Sequence, residues 1–160
     1  MIIEAFSQNI ISDFAPHENS YLISIGDPNE PMIPLLNGWA GILRLNFHDI
    51  DLVRYNNTKD IPSYWIKSEN LKKYTIFNYE HAKQIVDFIN KNEPNIKNLI
   101  INCHAGVSRS VGIKIALERF YIGKNVSNEA IYLCFNMWVC SILTEVLYNK
   151  EIFDPPNINE

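Results

Sequence analysis

Leu99-Ile100-Ile101-Asn102-Cys103-His104-Ala105-Gly106-Val107-Ser108-Arg109-Ser110 places an apolar run, a small-residue loop and a helix start in immediate succession. The apolar triplet reads as a buried strand, and the stretch after Arg109 is apolar enough to be a helix. A strand that turns tightly into a helix N-terminus gathers backbone N–H groups around a point where an anion can sit. The loop carries a thiol at its entrance, Cys103, and a guanidinium at its exit, Arg109. An ordinary cysteine titrates near ~8.5, but a helix N-terminus and a neighbouring cation favour the thiolate. The planar fork of arginine holds two phosphate oxygens at once, which lysine cannot do. Ala105 and Gly106 leave the loop wall free of bulk, His104, Val107 and Ser108 complete it, and Ser110 can donate to the sulfur. The loop therefore predicts phosphate handling by a nucleophilic cysteine.

Outward from this loop, the chain alternates strand and helix signals. Ile2 to Phe6 and Tyr21 to Ile25 read as strands, the second stopped by Gly26-Asp27-Pro28. A proline-rich loop follows, and Gly41 to Phe47 reads as a third strand that ends at His48-Asp49-Ile50-Asp51. Residues 52–75 are polar and aromatic without periodicity, and read as a long excursion that either covers the site or packs on the body. Ala82, Ile85, Val86 and Ile89 share one helical face, with Asn78 as N-cap and Pro94 as the outer limit. After the Cys103 loop a helix runs to a stop at Gly123. Further helices open at Ser127 and Asn136, the last burying Val139, Cys140, Leu143, Val146 and Leu147. Together these signals predict an α/β fold: a short, largely parallel central sheet flanked by helices.

The bulk numbers are those of a folded domain. The chain has 160 residues, 47% hydrophobic and 20% charged, with no repeat or linker to divide it, so residues 1–160 are read as a single domain. Lys+Arg number 14 against Asp+Glu 18, for a net charge of −4, and no basic run occurs; nucleic acid is a poor fit as a partner. Apolar runs are too short for a membrane span. Three cysteines form no disulfide framework, which points to a reducing, cytoplasmic setting. The four histidines share no ligand spacing with the cysteines, so neither a metal nor another cofactor is expected. Cys134 and Cys140 read as small core residues.

Cys103-His104-Ala105-Gly106-Val107-Ser108-Arg109-Ser110 resembles the signature loop of the cysteine-based protein tyrosine phosphatases, and is most similar to their compact dual-specificity branch. The resemblance extends over Tyr21 to Leu147. It implies attack of Cys103 on phosphorus, a phosphocysteine intermediate, and charge stabilisation by the loop amides and Arg109. It also implies an aspartic acid that protonates the leaving oxygen. Asp49 closes an alternating strand in the manner of that acid; Asp51 is the second choice, with Asp60 or an aspartate-free arrangement behind them. Such phosphatases carry histidine before the cysteine. Asn102 stands there, and a slower first step is expected from it. Phe135-Asn136 occupies the place of a Pro-Asn pair whose amide buttresses the loop, and Asn136 is equally suited to a plain N-cap. The implied substrate is a phosphorylated protein or peptide, on tyrosine and also on serine or threonine. Rival readings are an RNA 5′-phosphatase, an inositol phosphate phosphatase, a phosphate-binding module without turnover, and a sulfur-transfer loop. The absence of lysine or a second arginine within the loop weighs against the inositol phosphate reading.

Overall fold

A computed structural model of the chain describes residues 1–57, 71–123 and 134–149. Four strands, β1 (Ile2–Ser7), β2 (Ser20–Gly26), β3 (Gly41–Asn46) and β4 (Asn98–Cys103), form one parallel sheet in the order β1-β4-β2-β3. Parallel strands need crossovers, and these are supplied by α1 (Gln8–Ser12) between β1 and β2 and by α3 (Tyr79–Asn92) between β3 and β4. The first crossover steps one way along the sheet and the second steps back. Right-handed connections then put the two helices on opposite faces. The side chains agree: Ile11 of α1 packs with Leu22 and Ile100, whereas Ala82, Ile85 and Ile89 of α3 pack with Ile23, Leu99 and Ile101. The fold is the α/β arrangement the sequence predicts.

The strand sequences fit their places in the sheet. β2 and β4 are interior strands with both faces covered, so Tyr21-Leu22-Ile23 and Leu99-Ile100-Ile101 are continuous apolar runs. Edge strand β3 alternates instead, with Leu45 buried and Ile42 and Arg44 exposed. After β4 come α4 (Arg109–Leu117), a π-helical turn over Glu118–Ile122, and α5 (Met137–Tyr148). α4 is buried along nearly its whole length and packs tightly on the start of α5, where a Cβ on Gly112 would lie 2.7 Å from the Asn136 carbonyl oxygen. Gly123 ends the π turn with φ 67°, the left-handed stop its residue type favours.

Two local readings need correction. Leu52–Asn57 forms a helix, α2, where no periodicity is visible in the sequence. Six residues are too few to display a stripe. The helix is started by the Asp51 carboxylate, which accepts from the Val53 and Arg54 N–H groups at 3.1 and 3.3 Å. Cys134 is exposed and not a core residue, because it lies in the turn leading to α5; Cys140 is buried as expected. Asp60, most of the aromatic excursion and the helix start at Ser127 lie outside the described residues. Among the described residues no helix is long and apolar enough to cross a membrane.

α3 opens with a reciprocal cap. Asn78 Oδ1 accepts from His81 N–H at 3.1 Å, and His81 Nδ1 accepts from Asn78 N–H at 3.2 Å. The ring stacks on Phe77 and tilts against Phe47. Burial lowers the His81 pKa below 6.5, outweighing the opposing charge of Glu80. Above pH 6.5 the ring is neutral folded or unfolded, and its contribution is complete. As pH falls below that value the unfolded chain takes up the proton first, so stability is lost toward the depressed folded-state pKa. Urea denaturation from pH 7 down to about pH 5 should show this loss, and His81→Gln, which retains a capping acceptor, should flatten it.

Candidate active site

Because all four strands run the same way, their C-terminal ends share one edge, the position where open parallel sheets place ligands. Cys103 ends β4 there, buried to 2% exposure, and its Sγ lies 3.1 Å from Ser110 Oγ in the first turn of α4. Between them, residues 104–108 bend back toward the helix start. Gly106 adopts φ 75° and seats against the end of β1, where a Cβ would fall 2.8 Å from Phe6 O and closer still to Ser7 N. Only glycine fits this position. The Gln8 N–H donates to His104 O at 3.2 Å and fastens the loop to the same junction. His104, Ala105 and Val107 are exposed; Gly106 and Ser108 are partly covered.

Arg109 is 3% exposed, and its guanidinium bridges two other strand ends. Nη1 donates to Phe47 O at 2.7 Å, just beyond β3, and to Asp27 Oδ1 at 2.9 Å, just beyond β2. Longer contacts of 3.4 Å reach Gly26 O and Asp27 Oδ2. Among the described residues Nε has no acceptor. Asp27 was not singled out by sequence, where Gly26-Asp27-Pro28 reads only as a turn. Its role comes from strand order: a turn that closes a parallel strand beside β4 faces the same edge as the Cys103 loop.

The two aspartates after β3 have different surroundings. Asp49 is exposed, and its Oδ1 accepts from Ser108 Oγ at 2.8 Å and Asn136 Nδ2 at 2.9 Å, directly on the loop. Among the described residues its Oδ2 accepts nothing. The Asp51 side chain is 13% exposed and fully engaged. Besides the start of α2, it accepts from the Met137 and Trp138 N–H groups of α5 at 2.9 and 3.2 Å, and it pairs with Arg54 Nε at 3.3 Å. Asp51 thus caps two helices at once. Asn136 also does two things: its Oδ1 caps α5 through Val139 N–H at 3.0 Å, and its amide holds Asp49. Its own N–H donates to Ser108 O, which also accepts from Gly112 N–H. Asp49, Ser108 and Asn136 form one connected knot at the loop.

Asn102 points elsewhere. Strand alternation puts its side chain on the face of Ile100, opposite Cys103; it is 1% exposed, and its Oδ1 has no partner among the described residues. Asn102 therefore lies under the loop without reaching the sulfur side of the strand.

Over 67 residues the chain is 31% identical to a protein of Invertebrate iridescent virus 6 named "Putative tyrosine phosphatase 123R". The aligned stretch covers 42% of this chain and 46% of that protein, so the chain spans about half the length of the curated relative it matches. No family model matches the chain, and no solved structure matches it.

The double cap makes a separable demand on stability. Asp51→Ala should lower unfolding free energy by about 2 kcal/mol, the sum of two ordinary cap losses, read by urea denaturation. Asp49→Ala, with an exposed carboxylate, should cost less than half of that.

Proposed function

We propose that this chain is a phosphomonoester hydrolase that acts on phosphoproteins through a cysteinyl-phosphate intermediate. The observation that carries the reading is the juxtaposition at one sheet edge of a buried thiol, a serine hydroxyl 3.1 Å away, and a buried arginine whose Nε lacks an acceptor among the described residues. A phosphate dianion in the loop supplies that acceptor, and its charge offsets the guanidinium. A module that only bound phosphate would have no use for the thiol. The partial similarity to a tyrosine phosphatase supports phosphotyrosine as the first substrate to test.

In this reading the Cys103 thiolate attacks phosphorus in line, forming the S–P bond as the bond to the leaving oxygen breaks. The loop N–H groups and Arg109 hold the equatorial oxygens while charge develops on them. Asp49 delivers its proton to the leaving oxygen, then takes one from the water that attacks the phosphoenzyme. The S–P bond breaks, and Ser110 donates to the departing sulfur. Asp49 suits the acid role better than Asp51. It sits on the loop knot with one oxygen free among the described residues, while protonating Asp51 would break caps on two helices. Asn136 positions Asp49, and Asp27 positions Arg109.

Hydrolysis of p-nitrophenyl phosphate should fall to background in Cys103→Ser while vanadate binding persists. An inactive wild-type chain would sink the enzyme reading. Asp49→Asn should slow phenyl phosphate by about 10²–10⁴-fold, the range of a lost general acid, and p-nitrophenyl phosphate less, since its leaving group needs little protonation. If Asp51→Asn shows that contrast instead, the acid is Asp51. Asp27→Asn should act on Arg109, weakening phosphate-analogue binding without abolishing turnover. Phosphotyrosyl and phosphoseryl peptides compared side by side would then define specificity.

A further inference from the structure

On the face of the sheet opposite Cys103, a small cavity opens beneath the loop, lined among others by Ser24, Asp27, Glu30, Asn102 and His104. Asp27, Glu30 and His104 each turn one ligand-type atom to a common point, all three within 4.8 Å of one another. Two of them are held together by the turn after β2, in which the Glu30 N–H donates to Asp27 O at 3.1 Å. His104 arrives from the other interior strand, immediately after β4. Exposed carboxylates gather on many surfaces without consequence, but a second observation sets this group apart. Asn102, paired in register with Ser24 in the floor of the same cavity, is 1% exposed and buries a side-chain oxygen with no donor among the described residues. A buried oxygen left unpaired forfeits its hydration without a compensating bond.

We propose that Asp27, Glu30 and His104 bind a divalent first-row cation of the Mn²⁺ class, with the Asn102 amide oxygen facing it or a water on it. The donor set of two carboxylates, one imidazole and one amide oxygen is that of a hard-to-borderline ion. Opposed ligands about such an ion lie roughly 4.2 Å apart, twice a bond of about 2.1 Å. The exposed side chains of Glu30 and His104 close the remaining gap by small rotations. Asp27 has an oxygen to share, because its Oδ1 holds Arg109 at 2.9 Å and its Oδ2 only at 3.4 Å. The cation would neutralise Glu30, share the Asp27 carboxylate with Arg109, and satisfy the buried Asn102 oxygen. The three ligands come from two strand ends far apart in sequence, which is why no spacing announces them. The binding does not depend on the proposed hydrolase activity.

The test is a Mn²⁺ titration of the full chain after chelator treatment, with free Mn²⁺ read from its electron paramagnetic resonance amplitude. Glu30→Gln is exposed and should fold normally, which circular dichroism checks; Glu80→Gln, an acidic residue at the start of α3, is the control. The expected result is saturable binding of one equivalent, weakened at least about tenfold by Glu30→Gln and unchanged by Glu80→Gln. Asn102→Leu should weaken it about tenfold, the usual cost of an outer partner. Absence of saturable binding up to about 1 mM, the weak end for oxygen-rich sites, overturns the proposal. So does equal affinity in Glu30→Gln and Glu80→Gln.

Discussion

Burying the guanidinium of Arg109 constrains the whole C-terminal edge of the sheet. A charge removed from water costs several kcal/mol unless it is paired and its donors are met. This chain meets the demand with groups from two different strand ends: the Phe47 carbonyl after β3 and the Asp27 carboxylate after β2. Both can reach the guanidinium only if β2 and β3 end level with the start of α4, which follows β4. The parallel register supplies that alignment. Among the described residues the pairing is incomplete by one donor, Nε, so the arginine is fixed in direction with one N–H left unmatched.

Around this centre the chain uses single side chains to join elements. Asp51 ties the start of α2 to the start of α5, Asn136 ties α5 to Asp49, and Ser108 ties the loop to both. Each is a short polar residue at a helix start, where unpaired N–H groups are available. These joints leave the loop held on all sides by hydrogen bonds to its neighbours, while Ala105 and Val107 at its crest stay exposed.

What was legible in the sequence is what is encoded locally. Cys103, Arg109 and Ser110 are close in the chain, so their spacing alone brings them to one loop. The apolar run of β4 and the stripe Ala82-Ile85-Val86-Ile89 reveal their burial through period and continuity. Asp49 could be placed because it follows a strand whose end was readable. Asp27 could not, since its importance comes from the neighbour order of strands, and order is decided by crossovers that no short window contains. The same holds for Glu30 with His104. α2 escaped detection because six residues carry no period, and its cause is a carboxylate shared with a helix much later in the chain.

The strand order has a consequence in time. β4 lies between β1 and β2 in space but is the last strand in sequence, and it pairs Ile2 with Asn98 and Ser20 with the same residue. As the chain leaves the ribosome, β1 has no partner, and the apolar flank of β2 stays open until Asn98–Cys103 has been made. Pairings between such distant segments close slowly. The last strand to arrive is also the one that ends in Cys103. A chain that stalls before it has neither a completed sheet nor the thiol of the proposed site, and its open strand edges make it prone to aggregate.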